Sequence, residues 1–465
     1  MMENRRWLVV SMGIAMFIGF GCAKSNNGNQ QEKVITLGAV IDQTGSAGPG
    51  SWPNAAQLAV TQMNSALVKA SSEIRFNLVI GDSTNVPAVA AQRAQDLVMS
   101  KGAKGLVVDT SQDDVEILKL QYDADPSKHL DVPLVGLVST SPAINNPNTT
   151  NPDPVTQAAY QDADHWNFRT SMSSVPQGRV LTNIAMSKVG KPDFKISAFA
   201  SNEPFGNGQV AALKTAVSLL APTAIVEAVK FSTADHTAND ADFFSATFAK
   251  VVDQHNEETG TDDGAPNVWM GLTFPDYLVA IIRASKLAGS IIPGVHGMAL
   301  RNQKILDSLG SDANGQEGTS YVVVDTSQSG ITFASDLTAT TGMAPNSMDS
   351  ATYDAVAVLM LAALSAANGQ PDPTTITGAQ IRSAVRGTSD PSGQIVGTGV
   401  DEFTKAVGFI SQGLPINYEG AQSPCDFDES GSVTTRLVHF VIENNAFKDM
   451  EVFDCVSSPD CPIQM

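Results

Sequence analysis

Residues 37–64, LGAVIDQTGSAGPGSWPNAAQLAVTQMN, run from a short apolar strand through a Gly-rich loop into an amphipathic helix. The same alternation recurs along the chain. Val34–Ile41 reads as a strand. Asn54–Leu67 reads as a helix, with Ala55, Ala59, Met63 and Leu67 on one face. Ile74, Phe76, Leu78 and Ile80 alternate as a second strand, and Pro87 suits the first turn of a helix running to Ser100. Residues 105–109 and 133–138 are short buried strands. Strands and helices alternating in this way imply parallel βαβ units with helices on both sheet faces.

Residues 145–154, NNPNTTNPDP, break the pattern as an exposed loop. A second series then follows: strands at 195–200, 223–231 and 267–272, and helices at 208–220, 241–254 and 274–287. A strand is expected at 321–325 and a long Ala/Leu/Val-rich helix at 347–368. Thr377–Gln380 is a capping box opening a helix that Gly387 closes. Residues 436–443 and 447–453 read as a hairpin turned at Asn444-Asn445. Two α/β series in 465 residues fit two lobes of about 200 residues each.

The N-terminus reads as an export signal. Arg5 and Arg6 precede an apolar run from Trp7 to Gly21, too short for a comfortable membrane span. Gly19-Phe20-Gly21 before Cys22 fits cleavage at a lipid-bearing Cys22, or plain export with an unmodified cysteine. Residues 23–33, AKSNNGNQQEK, are polar and suit a flexible tether. Stable anchoring through lipid requires more than one acyl chain. No later segment reads as apolar for long enough to span a membrane. The formal charge is −20, and removal of the signal's net +1 leaves about −21. Such acidity excludes nucleic acid as a partner and favours solubility. Cys425, Cys455 and Cys461 allow one disulfide in an oxidising compartment, and spacing alone does not choose the pair.

Several segments together resemble the type I periplasmic solute-binding family, the leucine/isoleucine/valine-binding proteins. They are GAVIDQTGSAGPG, GDSTNVPAVAAQRAQDLV with Asp82 at its strand end, VPLVGLVSTSPAI, NFRTSMSSVPQG, NEPFGNGQ, YDAVAVLMLAAL and PINYEGAQSPCDFDESGSV. The resemblance spans residues 33–433. It implies an α/β fold of two Rossmann-like lobes joined by three crossovers. One lobe is expected from 34–165 and 325–412, the other from 166–324 and 413–465, after a signal at 1–21 and a tether at 22–33. A small polar ligand, an amino acid or a relative, is expected in the cleft. The implied partner is an ABC permease in the membrane, and the protein itself is expected to be a monomer on the periplasmic or cell-envelope side. No cofactor, metal or catalysis is implied. A sensor coupled to a signalling partner is the near alternative, and an exported hydrolase the distant one.

Sites in such sheets lie at strand carboxyl ends, where helix N-termini offer free N–H groups. Carried over residue by residue, Trp52 is a pocket wall. Ser139 and Thr140 match the hydroxyl-bearing turn that holds a ligand's carboxylate and ammonium. Phe205 takes the family's Tyr position, and Thr273 and Phe274 its second-lobe aromatic contact. Where a Ser hydroxyl usually meets the carboxylate, one register places Asp109 and the next Thr110, followed by Ser111. GVHGM (294–298) puts His296 where an acidic residue usually holds the ammonium, or it is an ordinary loop histidine.

Other motifs carry less. Gly206–Ala211 fits G-x-G-x-x-A, a weak dinucleotide signature that the family's own glycine turn explains. Asp426–Gly431 imitates a calcium loop, but its twelfth position is Leu437. No G-x-S-x-G elbow or H-E-x-x-H occurs.

Overall fold

The computed structural model describes residues 32–47, 51–346, 348–458 and 461. The export signal, Cys22 and all but the end of the tether lie outside them. The first series comprises β1 (Lys33–Ile41), α1 (Trp52–Lys69), β2 (Ile74–Asp82), α2 (Pro87–Gln95), β3 (Leu106–Thr110), α3 (Ser111–Gln121), β4 (Leu134–Val138), α4 (Pro154–Gln161) and β5 (Asn167–Arg169). Its strands form one parallel sheet in the order β2-β1-β3-β4-β5. Pleating sends Ile35, Leu37, Ala39 and Ile41 to one face and Val40 to the other. Both faces are covered, so the central strands read as continuous apolar runs.

The second series comprises α5 (Ser174–Val189), β6 (Lys195–Ser201), α6 (Pro204–Leu220), β7 (Ile225–Phe231), α7 (Ala241–Val252), the short pair β8 (His255–Asn256) and β9 (Thr261–Asp262), β10 (Val268–Leu272), α8 (Pro275–Leu287), β11 (Val295–His296), α9 (Gln303–Leu309) and β12 (Glu317–Tyr321). The strands β10-β6-β7 are parallel. A bridge from Trp269 to Gly294 leads to a further sheet, β11-β12-β15-β16, whose last two strands are the C-terminal hairpin β15 (Arg436–Glu443) and β16 (Ala446–Asp454). Asn444 and Asn445 both take positive φ at its turn, 53° and 57°, as a tight hairpin turn requires.

Between them lie α10 (Gln328–Thr341), α11 (Asp349–Ala367), α12 (Gly378–Val385), β13 (Gln394–Val396), α13 (Val400–Ser411) and β14 (Ile416–Tyr418). Helices α10, α11 and α13 all pack on α1, which returns this stretch to the first sheet. The capping box at Thr377 and Gln380 is formed. Helix α11 is long and apolar enough to cross a membrane, which corrects the sequence reading, but 89% of its apolar window is buried as core.

The architecture is two α/β lobes with parallel sheets. Strand β5 is the edge of the first sheet, and β14 pairs with β13 in a separate two-stranded sheet. The expected strand at 321–325 is displaced: the ladder runs through Glu317–Tyr321 and stops as the Val-rich run begins. Cys455 and Cys461 form the disulfide and Cys425 is a buried thiol.

Candidate functional site

The loop after β1 is folded by carboxylates. Asp42 accepts N–H bonds from Gly45 (2.5 Å), Ala47 (2.8 Å) and Thr44 (3.2 Å). Asp82 accepts from Gln43 N–H (2.8 Å) and the Thr44 hydroxyl (2.7 Å). These bonds fix the described part of the loop as far as Ala47, and Trp52 lies in the first turn of α1. Asp109 is turned into this support: it accepts the N–H of Asp42 (2.5 Å), the Ser83 hydroxyl (3.1 Å) and the N–H of Thr110 (2.8 Å). Of the two registers left open by the sequence, Thr110 is the one that reaches the cleft.

A cavity lies there, with about 520 Å³ of atom-free space including its solvent-open mouth. The first lobe contributes Ala47, Trp52, Thr110, Val138 and Met348. The second contributes Phe205, Phe274, Pro275, Met298, Ala299, Arg301 and Asn302. Phe205, in the first turn of α6, and Phe274, which caps α8, stack with centroids 5.1 Å apart and planes 24° apart. Arg301 is 9% exposed, donates to Asp449 (2.5 Å) and lies against the edge-to-face pair Phe440–Phe447, 5.1 and 5.8 Å from their centroids.

Four of the expected residues, Trp52, Thr110, Phe205 and Phe274, thus line one cavity. The others do not reach it. Ser111 lies beneath, its hydroxyl accepting the N–H groups of Thr140 (3.0 Å) and Ser141 (3.2 Å). Thr140 gives its carbonyl to Ser174 N–H (2.8 Å), and Ser139 gives its carbonyl to the Ser171 hydroxyl (3.2 Å). Ser111, Ser139 and Thr140 are fully buried and do not line the cavity; the backbone of the last two is tied into the turn, while the Thr140 hydroxyl has no partner among the described residues. Thr273 is buried behind Phe274.

His296 is corrected outright. It is fully buried in the second lobe, with Nδ1 accepting Gly271 N–H (2.9 Å), Nε2 facing Gln316 Oε1 (2.6 Å) and the ring edge-on to Trp269. Both nitrogens are engaged in a neutral tautomer, and burial pushes its pKa down to about 4. Sequence reasoning missed Arg301, five residues further on. Its only signal was a cation inside the apolar stretch GMALRN.

Burial pushes the carboxyls of Asp42 and Asp349 up to about 6 and those of Asp114 and Asp354 up to about 7. The folded state then holds protons that the unfolded chain releases near pH 4, so stability falls as pH rises from about 4 to about 7. His296 acts oppositely: its lowered pKa removes stability as pH falls from 6.5 to about 4. Four groups outweigh one. The thermal midpoint is expected to be higher near pH ~5.5 than near pH ~7.5; an unchanged or inverted order in a buffer-matched melt would refute this.

What the arrangement can do is bind. Its polar lining is the Thr110 hydroxyl, Arg301, Asn302 and the Trp52 indole N–H, and no His, Cys, Asp or Glu side chain lines it among the described residues. The His/Cys/Asp/Glu groups of the described residues form no metal-holding cluster.

The model of the family described as periplasmic binding protein matches residues 34–405. No curated protein sequence gives a match. Among solved structures, the chain is similar to the leucine-binding protein LivK of Thermotoga maritima (14% identity, 90% of this chain and 99% of that one, TM-score 0.64). It is similar to LivJ, the branched-chain amino acid transporter substrate-binding protein of Streptococcus pneumoniae, solved with isoleucine (16%, 91% and 100%, 0.61). It is also similar to an ABC-transporter solute-binding protein of Rhodopseudomonas palustris solved with 3,4-dihydroxybenzoic acid (14%, 92% and 99%, 0.61). These likenesses show the two-lobed fold, and with a family model matched over most of its length the chain belongs to the periplasmic binding protein family.

Proposed function

We propose that this chain is an exported solute-binding protein that closes its two lobes over a small molecule and presents the closed form to an ABC permease. The observation that carries this reading is the shared cavity: Trp52 and Thr110 come from one lobe, Phe205, Phe274 and Arg301 from the other. A ligand touching both walls binds the closed state better than the open one, so binding shifts the population toward closure. The lining supplies shape and hydrogen bonds, and neither a nucleophile nor a general base. Amino acids and related carboxylates are the ligand class to test, since relatives of this fold were solved with isoleucine and with 3,4-dihydroxybenzoic acid. Export, attachment through Cys22 and a tether at 22–33 complete the proposal, which places the domain on the outer side of a membrane.

Thermal shift of the domain against amino acids, carboxylates, peptides, polyamines and sugars tests the reading. A ligand at 100 times its dissociation constant stabilises by about 2.7 kcal/mol. A concentration-dependent shift with a member of the panel, lost in Trp52→Ala, is expected. A panel without any shift would overturn ligand capture as the function.

A further inference from the structure

Two hydrogen-bonding side chains from opposite lobes line the cavity, whose wall is otherwise apolar except for Asn302 and Trp52. Thr110 Oγ1 on the first lobe and Arg301 Nε on the second are buried and line the same cavity, and neither finds a hydrogen-bond partner among the described residues. Arg Nε can only donate, and a buried donor left unmatched is costly. The guanidinium is held on one side: Asp449 binds Nη1, and its carbon lies against the edge-to-face pair Phe440–Phe447. Asp449 is half-exposed, so water screens it, while Arg301 is nine-tenths buried against the cavity. The cation is thus less compensated on its cleft side.

Apart from Asn302, the rest of the wall is mostly apolar. Trp52, Val138, Met298 and Met348 surround the stacked Phe205–Phe274 pair, whose rings offer flat faces to a planar group. No Asp or Glu side chain lines the cavity among the described residues. The buried acids adjoining lining residues, Asp109 and Asp349, do not line the cavity: Asp109 accepts from backbone N–H groups and the Ser83 hydroxyl, and Asp349 accepts from the Ser51 hydroxyl and Asn346 N–H through Oδ2, its Oδ1 having no partner among the described residues. An ammonium would lose its water here without meeting a counter-charge.

We propose that the cleft takes a monocarboxylate with an apolar, preferably aromatic, body and rejects the same body carrying an α-ammonium. This rests on the solute-binding reading and names its ligand class. The carboxylate would accept from Arg301 Nε and Thr110 Oγ1, bridging the lobes, and a charge-assisted bond of this kind is stronger than a neutral one.

The test is calorimetry of the whole exported domain with three probes that share one body: 3-phenylpropanoate, L-phenylalanine and 2-phenylethylamine. The carboxylate is expected to bind at least ~10-fold more tightly than the amino acid, with the amine weakest. Arg301→Gln should cost the carboxylate ~10-fold or more. Because Arg301 packs on the Phe440–Phe447 pair, Thr110→Val serves as a second variant, close in volume and on the opposite lobe, expected to cost a few-fold to ~10-fold. Equal or tighter binding of phenylalanine, or carboxylate affinity unmoved by both substitutions, would overturn the proposal. So would failure of 3-phenylpropanoate to bind. In each case the solute-binding reading is judged separately, by whether another member of the wider thermal-shift panel is captured.

Discussion

Replacing Gly208 with valine is expected to abolish tight ligand binding while leaving the lobes folded. Gly208 lies in α6 of the second lobe, where that helix passes the turn after β4 of the first. A Cβ at 208 would lie 2.8 Å from Ser141 Oγ, 2.9 Å from Pro142 Cδ and 2.9 Å from Ser141 Cα. That turn cannot yield. Arg169 donates to the Ser141 carbonyl (2.8 Å), and Ser111 accepts the Ser141 N–H (3.2 Å). The added carbon must therefore push α6 and its lobe away, which separates Phe205 from the first-lobe wall. Within the helix, glycine is the poorer residue, and alanine there gains about 0.5–1 kcal/mol of helix stability. Gly208→Ala should thus raise or preserve the melting temperature of the free protein while weakening binding. Gly208→Val should weaken affinity by ~100-fold or more if the closed state becomes a minor population. Small-angle scattering should show both variants more open in saturating ligand. Wild-type affinity in Gly208→Val would mean that the lobes close without this contact.

The sequence made the lobes legible because their strands are buried on both faces and their helices are amphipathic. Strands β1, β2, β4, β6 and β10 lie within a residue or two of the ranges read from apolar runs. The hairpin was readable from Asn444-Asn445, where asparagine tolerates a positive φ. Reading failed where local signal and tertiary role diverge. Val322–Val324 attracts a strand assignment by propensity, yet the ladder uses EGTSY, because β12 is sandwiched between β11 and β15 and takes its order from them. Helices α5, α10 and α13 were not assigned; α10 and α13 pack on α1, a pairing that no local pattern announces.

The cleft followed the same division. Trp52, Thr110, Phe205 and Phe274 sit at helix starts next to strand ends, where the topology puts every site of this kind. Ser139 and Thr140 were read as the turn that holds the ligand, because a hydroxyl-bearing turn looks alike whether it faces a ligand or braces a neighbouring helix. Only Ser111, contributed by α3, reveals that it braces. Arg301 was illegible because its position depends on β15 and β16, more than a hundred residues later, which supply Phe440, Phe447 and Asp449.

Asp354→Ala is expected to be the most destabilising single change to the frame that carries this cleft. Asp354 is fully buried on α11. Its carboxylate accepts the Tyr418 hydroxyl (2.9 Å), Ala421 N–H (2.7 Å) and Gln422 N–H (2.8 Å). It thereby ties the core helix of the first lobe to the segment leading into the C-terminal hairpin of the second. Gly420 makes that approach possible, since a Cβ there would lie 2.5 Å from Asp354 Oδ2. Alanine would leave three buried donors unmatched, each costing about 1–3 kcal/mol, and a loss of roughly 3–5 kcal/mol is expected after partial relaxation. Asn keeps the shape and one acceptor oxygen, so Asp354→Asn should lose about 1–2 kcal/mol. It should also lose part of the stability gained on acidification, because the raised pKa of Asp354 contributes to that gain. Urea unfolding midpoints near neutral and mildly acidic pH separate these effects. If Ala and Asn prove equally mild, the carboxylate is not what holds α11 to the crossover, and the packing of α11 against α1 and α12 must carry the junction alone.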